Sequence, residues 1–145
     1  MRIKSVFEEG KEIPSEYTCQ GDDINPELTI EDVPEEAKSL VLIMDDPDAP
    51  SGTWDHWIVF NIPADTEKIG KDSVPAGAVQ GKNSWEKNEY GGPCPPSGTH
   101  RYNLKLYALD TELDLDESAD KKAVEDAMKG HVAAEAKLTG TYEKS

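Results

Sequence analysis

Basic residues, cysteine and long apolar runs are all scarce in this chain of 145 residues. Fifteen Lys and Arg stand against 30 Asp and Glu, so the formal net charge is −15. Such a balance repels nucleic acid and anionic membranes as partners. No window of about 18 apolar residues predicts a membrane span, and the start MRIKSVFEEG has no signal-peptide core. We therefore expect no stable membrane insertion and, by default, a cytoplasmic location.

Only two cysteines are present, Cys19 and Cys94, and their spacing is not that of a metal motif. In a cytosolic protein two reduced thiols are favoured over a disulfide, although the disulfide stays open as the alternative. We predict neither a metal nor any other cofactor.

The length fits one domain. A chain of this size buries about two-thirds of its surface on folding, which is enough for a core without staples. Proline and glycine are scattered along the sequence, with no linker and no internal repeat. We expect a single domain over residues 1–145.

Short apolar runs bounded by turn residues predict β-strands over 38–46, 55–63 and 100–110. The apolar stretch Leu40–Met44 is continuous, as in a strand covered on both faces. In the third run His100 and Tyr102 have the same parity, so they point to the same face of the sheet.

One helix is predicted over 118–129, with Ser118 as N-cap and Gly130 ending it. The apolar period then changes to two, which predicts a strand over 131–142. The sum is a mostly β protein, an antiparallel β-sandwich with one late α-helix.

Two segments concentrate the residue types that form sites, 45-DDPDAPSGTWDHW-57 and 90-YGGPCPPSGTHRY-102. We interpret them as an anion pocket. The Gly91–Gly92 pair is expected to turn backbone N–H groups into a concave nest. Imidazole N–H groups and the Tyr102 hydroxyl would add donors. Asp46 or Asp48 would fix the imidazole tautomers and raise their pKa values.

Structural roles are the alternative for several residues of these segments. Asp45 and Asp55 are as often Asx-turn residues as functional ones. Trp54 and Trp57 favour the core over ligand stacking. Tyr90 and Trp85 favour ordinary packing over lining a pocket. His131 is expected to be structural or exposed.

The same segments carry a family resemblance. DPDAP at Asp46–Pro50, HW at His56–Trp57 and GGPCPPSGTHRY at Gly91–Tyr102 resemble the phosphatidylethanolamine-binding protein family, in particular its short bacterial and archaeal members called Raf-kinase-inhibitor-like. The resemblance implies a Greek-key β-sandwich with short peripheral helices and a small cavity at one end. It implies a cis Ala49–Pro50 bond, and it places Asp48 and Arg101 behind the cavity. The implied ligand-binding residues are Asp46, Pro50, His56, Gly92, His100 and Tyr102.

A small phosphate- or carboxylate-bearing ligand is the function that this resemblance and the pocket imply together, with a kinase or protease as possible protein partner. Asp55 would add negative charge near the anion. Inhibition of serine proteases is the alternative. A hydrolase using Asp46 with a histidine, or Cys94 as a thiol nucleophile, is less favoured, and so is a metal site on the same histidines and aspartates.

Overall fold

A computed structural model describes residues 1–144 of the protein. A short 3-10 turn spans Ser15–Tyr17, and the described α-helix is α1 (Lys121–Met128). The eight strands, in chain order, are β1 (Arg2–Ser5), β2 (Leu28–Glu31), β3 (Ser39–Asp46), β4 (Trp54–Pro63), β5 (Lys68–Ile69), β6 (Val79–Gln80), β7 (Thr99–Leu109) and β8 (Val132–Glu143). No helix in this part of the chain is long and apolar enough to cross a membrane.

Two antiparallel sheets form the sandwich. The smaller has the order β1-β2-β5 and the larger β6-β4-β3-β7-β8. After the β3–β4 pair the chain enters the small sheet with β5 and returns to the large sheet with β6 beside β4. It then crosses to place β7 on the other side of β3. This is the long return connection of a Greek key. The predicted fold class is confirmed.

The large sheet is buried on both faces at its centre, as the continuous apolar run predicted. All eight residues of β3 are buried. Leu40, Leu42 and Met44 pack toward the small sheet, while Val41 and Ile43 pack on the opposite face under Val124 and Met128 of α1. The strand is therefore fixed in position, and its carboxyl end is a rigid place to mount a site.

The helix is shorter at its start than predicted. It begins after Asp120, whose carboxylate accepts a hydrogen bond from the Ala123 amide at 2.9 Å. Ser118 does not cap it, because its hydroxyl and its amide both donate to Asp116 Oδ1, at 2.5 and 2.9 Å, in an Asx turn. The predicted strand after the helix is confirmed as β8, and Gly130 has the positive φ of 81° that suits the end of a helix.

The prediction of two reduced thiols is wrong, because Cys19 and Cys94 form a disulfide with a Cα–Cα distance of 5.5 Å. The Cys19 amide donates to the Pro93 carbonyl at 3.2 Å, so the fold brings the two segments side by side. Sequence spacing could not show this contact across 75 residues. A bonded sulfur is no thiolate, so the hypothesis of Cys94 as nucleophile also fails.

Candidate functional site

A cavity of about 230 Å³ lies where β3 ends and β7 begins. Its polar part is formed by Asp46, His56, His100 and Tyr102, which the sequence had brought into one hypothesis. The remaining wall is largely apolar and consists of Ala49, Pro50, Ser51, Trp54, Trp85, Cys94, Pro95 and Pro96. A cavity of this size is below the range of drug-sized pockets and suits a small ligand.

His100 and Asp46 form a buried pair. His100 Nδ1 lies 2.7 Å from Asp46 Oδ2, and the two residues are 7% and 4% exposed. The other carboxylate oxygen, Oδ1, accepts from the Asp48 amide at 2.8 Å. Because a carboxylate accepts, His100 Nδ1 carries the hydrogen and its Nε2 is the nitrogen left for another partner.

His56 is held in the same way by a backbone carbonyl. Its Nδ1 donates to the Gly91 carbonyl at 2.7 Å. Burial lowers the pKa of His56, and this outweighs the upward effects of that hydrogen bond and of the Asp46 charge. The predicted upward shift of its pKa is therefore wrong, because desolvation disfavours the charged ring more than the carboxylate favours it.

Tyr102 has a buried hydroxyl that makes no well-aligned hydrogen bond among residues 1–144, although the Asp46 side chain and the Cys94 backbone lie close to it. The residue is 1% exposed, and burial, together with the charge of Asp46, raises the pKa of its phenol well above the usual range. Its ring contacts His56 edge to face at 5.3 Å and is roughly parallel to that of His100 at 6.4 Å. Tyr102 is one of the residues that line the cavity. Buried polar groups are normally satisfied, so its hydroxyl is a donor that remains to be matched.

The predicted glycine nest is wrong. The Gly91 amide donates to the His56 carbonyl at 3.0 Å, and the Gly92 amide donates to Asp23 Oδ1 at 2.8 Å. Both donors are therefore already used. These glycines are required for close packing instead: a Cβ at Gly91 would overlap the Trp85 ring, and one at Gly92 would overlap the Tyr17 carbonyl. Gly92 lies behind the cavity and is not part of its lining.

Asp48 and Arg101 lie behind the cavity, outside its lining. Arg101 Nε and Nη2 donate to the two Asp48 oxygens at 2.9 and 2.8 Å. These hydrogen bonds lower the pKa of Asp48 to about 2. The pair ties the turn after β3 to the start of β7.

The turn after β3 differs from prediction at Pro50. The structure has no cis peptide bond among the described residues, so the expected cis Ala49–Pro50 bond is wrong. The chain reverses instead with a hydrogen bond from the Gly52 amide to the Ala49 carbonyl at 3.1 Å and a φ of 108° at Gly52. Pro50 still lines the cavity.

Asp45 and Asp55 lie on the other face of the sheet, since side chains alternate along a strand. Asp45 Oδ2 accepts from Lys105 Nζ at 2.9 Å, and Asp55 Oδ1 lies 2.8 Å from Lys121 Nζ. Both carboxylates form ion pairs and not the Asx turns that the sequence suggested as their structural role. The Asx turn in this segment is formed by Asp46. We predicted that Asp55 adds negative charge near the anion site. Its carboxylate instead lies on the opposite face of the sheet, where it pairs with Lys121.

Two tryptophans of the cavity wall were missed. Trp54 lines the cavity, although the sequence favoured the core, and its Nε1 has no hydrogen-bond partner in the described chain. Its parity with His56 could have revealed this. Trp85 is 42% exposed and contacts His56 edge to face at 5.1 Å, which no sequence pattern signals.

The other aromatic assignments are confirmed. Trp57 is buried in the core and donates to Gln80 Oε1 at 2.7 Å. Tyr90 is buried and donates to the Tyr17 carbonyl at 2.7 Å. His131 is an exposed residue that contacts Asp110 at 2.8 Å. None of these three lines the cavity.

Metal ligation would need several donors around one point. Across residues 1–144 no group of three or more His, Cys, Asp or Glu side chains is arranged to hold a metal ion. The geometry at the cavity instead presents one carboxylate–imidazole pair, a second imidazole and a phenol.

Comparisons with known proteins agree over nearly the whole chain. The family model described as phosphatidylethanolamine-binding protein matches residues 3–143. A UPF0098 protein of Methanothermobacter thermautotrophicus is 51% identical, with 99% of each chain covered. One from Pyrococcus horikoshii is 47% identical, with 99% of this chain and 77% of the relative covered.

Two solved structures show the same fold. The crystal structure of a putative phosphatidylethanolamine-binding protein homolog, CT736 from Chlamydia trachomatis, has a TM-score of 0.96 at 44% identity and covers 99% of this chain and 97% of its own. Escherichia coli YbcL, described as a new member of the mammalian PEBP family, has a TM-score of 0.91 at 32% identity, with 99% of this chain and 98% of YbcL covered. This chain therefore belongs to the phosphatidylethanolamine-binding protein family.

Proposed function

We propose that the protein binds a small oxyanion, either phosphate or the phosphate or carboxylate group of a small molecule, in the cavity between Asp46, His56, His100 and Tyr102. The observation that carries the proposal is the buried Tyr102 hydroxyl, which makes no well-aligned hydrogen bond in the described residues. Its ring packs against those of two fixed imidazoles, His56 and His100. An oxygen-rich ligand would accept from that hydroxyl.

The two imidazole side chains are already held in fixed positions, which favours ligand binding. Each imidazole has its Nδ1 held at 2.7 Å, by the Gly91 carbonyl or by Asp46. Little side-chain freedom remains to be lost when a ligand enters, which lowers the entropic cost of binding. The wall around this polar floor is largely apolar, and a low local dielectric strengthens hydrogen bonds made inside the cavity.

An NMR titration with phosphate and with phosphorylethanolamine tests the proposal. We expect saturable shifts of the imidazole signals of His56 and His100 and of the Trp54 indole N–H. Tyr102→Phe should weaken binding at least tenfold. Tyr107→Phe is the matched control, because Tyr107 is on the same strand but packs on the opposite face. No saturable shift at millimolar ligand would overturn the proposal.

A ligand that binds only the folded state also stabilises it. At a concentration 100 times its dissociation constant, phosphate should add about 2.7 kcal/mol to the free energy of unfolding.

Serine protease inhibition remains a separate prediction, tested by adding stoichiometric protein to a protease assay. A kinase or protease partner and a cytoplasmic location also remain predictions.

A further inference from the structure

We propose that the cavity selects oxyacids that carry a proton, such as hydrogen phosphate and the monoanions of phosphate esters and phosphonates, over tetrahedral anions that carry none, such as sulfate and sulfonates. This selectivity rests on the proposed oxyanion binding and specifies its ligand class.

The charges around the cavity are the first argument. Of the described residues that line it, none is Lys or Arg. The neighbouring Arg101 is outside the lining and occupied by both oxygens of Asp48. Within residues 1–144, the ion pair of the buried Asp46 carboxylate is with His100, and Arg101 acts on it only through its charge at a distance. This pair therefore offers no surplus positive charge to a ligand. The cost of bringing a ligand into the cavity rises with the ligand's negative charge, so an oxyacid that keeps a proton costs less than its fully ionised form.

The second argument is that the cavity offers acceptors as well as donors. Since Nδ1 of His56 donates to a carbonyl, the neutral ring presents Nε2 as a lone-pair acceptor. Burial favours that neutral ring by lowering the pKa of His56. His100 presents Nε2 in the same sense when it is neutral. An oxyacid with an O–H group can donate to such a nitrogen, whereas sulfate can only accept.

The available donors are few. The Tyr102 hydroxyl and the Trp54 indole N–H have no well-aligned partner in the described chain. Both amides of the Gly91–Gly92 pair, which would have favoured any anion equally, are used within the protein. A ligand that matches this set has oxygens that accept from Tyr102 and Trp54 and at least one hydrogen to give.

Charged groups elsewhere do not reverse this balance. From β3, the Asp46 carboxylate binds His100 and acts on His56 through its charge. From β7, the Tyr102 ring contacts both imidazole rings. Asp45 and Asp55 act on His56 from the opposite face, where Lys105 and Lys121 pair with them. Specificity of this kind arises because the wrong ligand brings a charge that nothing compensates. It also leaves the imidazole Nε2 acceptors of the protein without a donor.

The experiment compares two ligands of the same shape and charge that differ by one proton. At about pH 6 methylphosphonate is chiefly a monoanion with one O–H, while methanesulfonate is a monoanion without one. Binding of both, and of phosphate and sulfate, is followed on the wild-type protein by NMR shifts of the cavity residues. We expect methylphosphonate and phosphate to bind and their sulfur analogues to bind at least tenfold more weakly.

The outcomes separate the two proposals. Sulfonate or sulfate binding less than tenfold weaker would overturn the selectivity and leave the oxyanion site standing. No binding of any of the four would overturn the oxyanion site itself. Asp46→Asn, which removes the buried charge, should narrow the gap between phosphate and sulfate at least threefold. The control Asp126→Asn, on the exposed side of α1, should not change it.

Discussion

The disulfide offers the sharpest prediction about stability. Cys19 and Cys94 are separated by 75 residues and join the segment after the 3-10 turn to the cavity wall. In the chain-entropy account, closing a loop of that length removes about 15 cal/mol/K of entropy from the unfolded chain, which is about 4.5 kcal/mol at 25 °C. For a domain of this size the loss should lower the Tm by about 10–15 °C.

The assay is thermal unfolding with and without a reductant, on the wild-type protein and on the double variant Cys19→Ser, Cys94→Ser. Both cysteines are exposed, so a reductant can reach them. We expect the reduced wild type to match the double variant, and the reductant to leave the variant's own Tm unchanged. A wild-type shift below about 3 °C would refute the argument, since it corresponds to about 1 kcal/mol.

Three further predictions follow from the site. Tyr102→Phe should change the free energy of unfolding by less than about 1 kcal/mol, because the hydroxyl has no well-aligned hydrogen bond in the described structure to lose; urea unfolding measures it, and a loss above about 2 kcal/mol would contradict it. Gly92→Ala should destabilise the fold by about 1–3 kcal/mol, because its Cβ would meet the Tyr17 carbonyl and lie 2.5 Å from Asp23 Oδ1. The comparison variant is Gly10→Ala, at a position where nothing lies within 4 Å of the added Cβ. Its φ of 78° adds backbone strain of its own, so any further loss at Gly92 reports the steric contact. Asp48 has a folded pKa of about 2 against an ordinary 3.8, so its stabilising effect is present above about pH 4 and is lost as the pH falls toward 2. Because the Arg101 side chain is 62% exposed, we expect Asp48→Asn to lower the free energy of unfolding by no more than about 1 kcal/mol at neutral pH, and by less at high salt. The variant should also flatten the curve of stability against pH between about pH 4 and pH 2, which urea unfolding at several pH values measures.

Much of the fold could be read from local patterns. The continuous apolar run of β3 indicated burial on both faces, and the alternation in β7 placed His100 and Tyr102 together. Both inferences depend on side-chain periodicity, which the backbone enforces along a single strand. The helix start failed because two aspartates and a serine competed for the same capping role within five residues.

For the site, as for the fold, local patterns determined some features and tertiary contacts decided the others. By itself the sequence determined the chemical types in the cavity and the strands that carry Asp46, His56, His100 and Tyr102. Only the tertiary structure decided what each group is bonded to: which carbonyl holds His56, which donors Gly91 and Gly92 have already used, and that Cys19 meets Cys94. These are contacts between segments 35 to 75 residues apart, and such pairings depend on how the sheets pack, which no local pattern encodes.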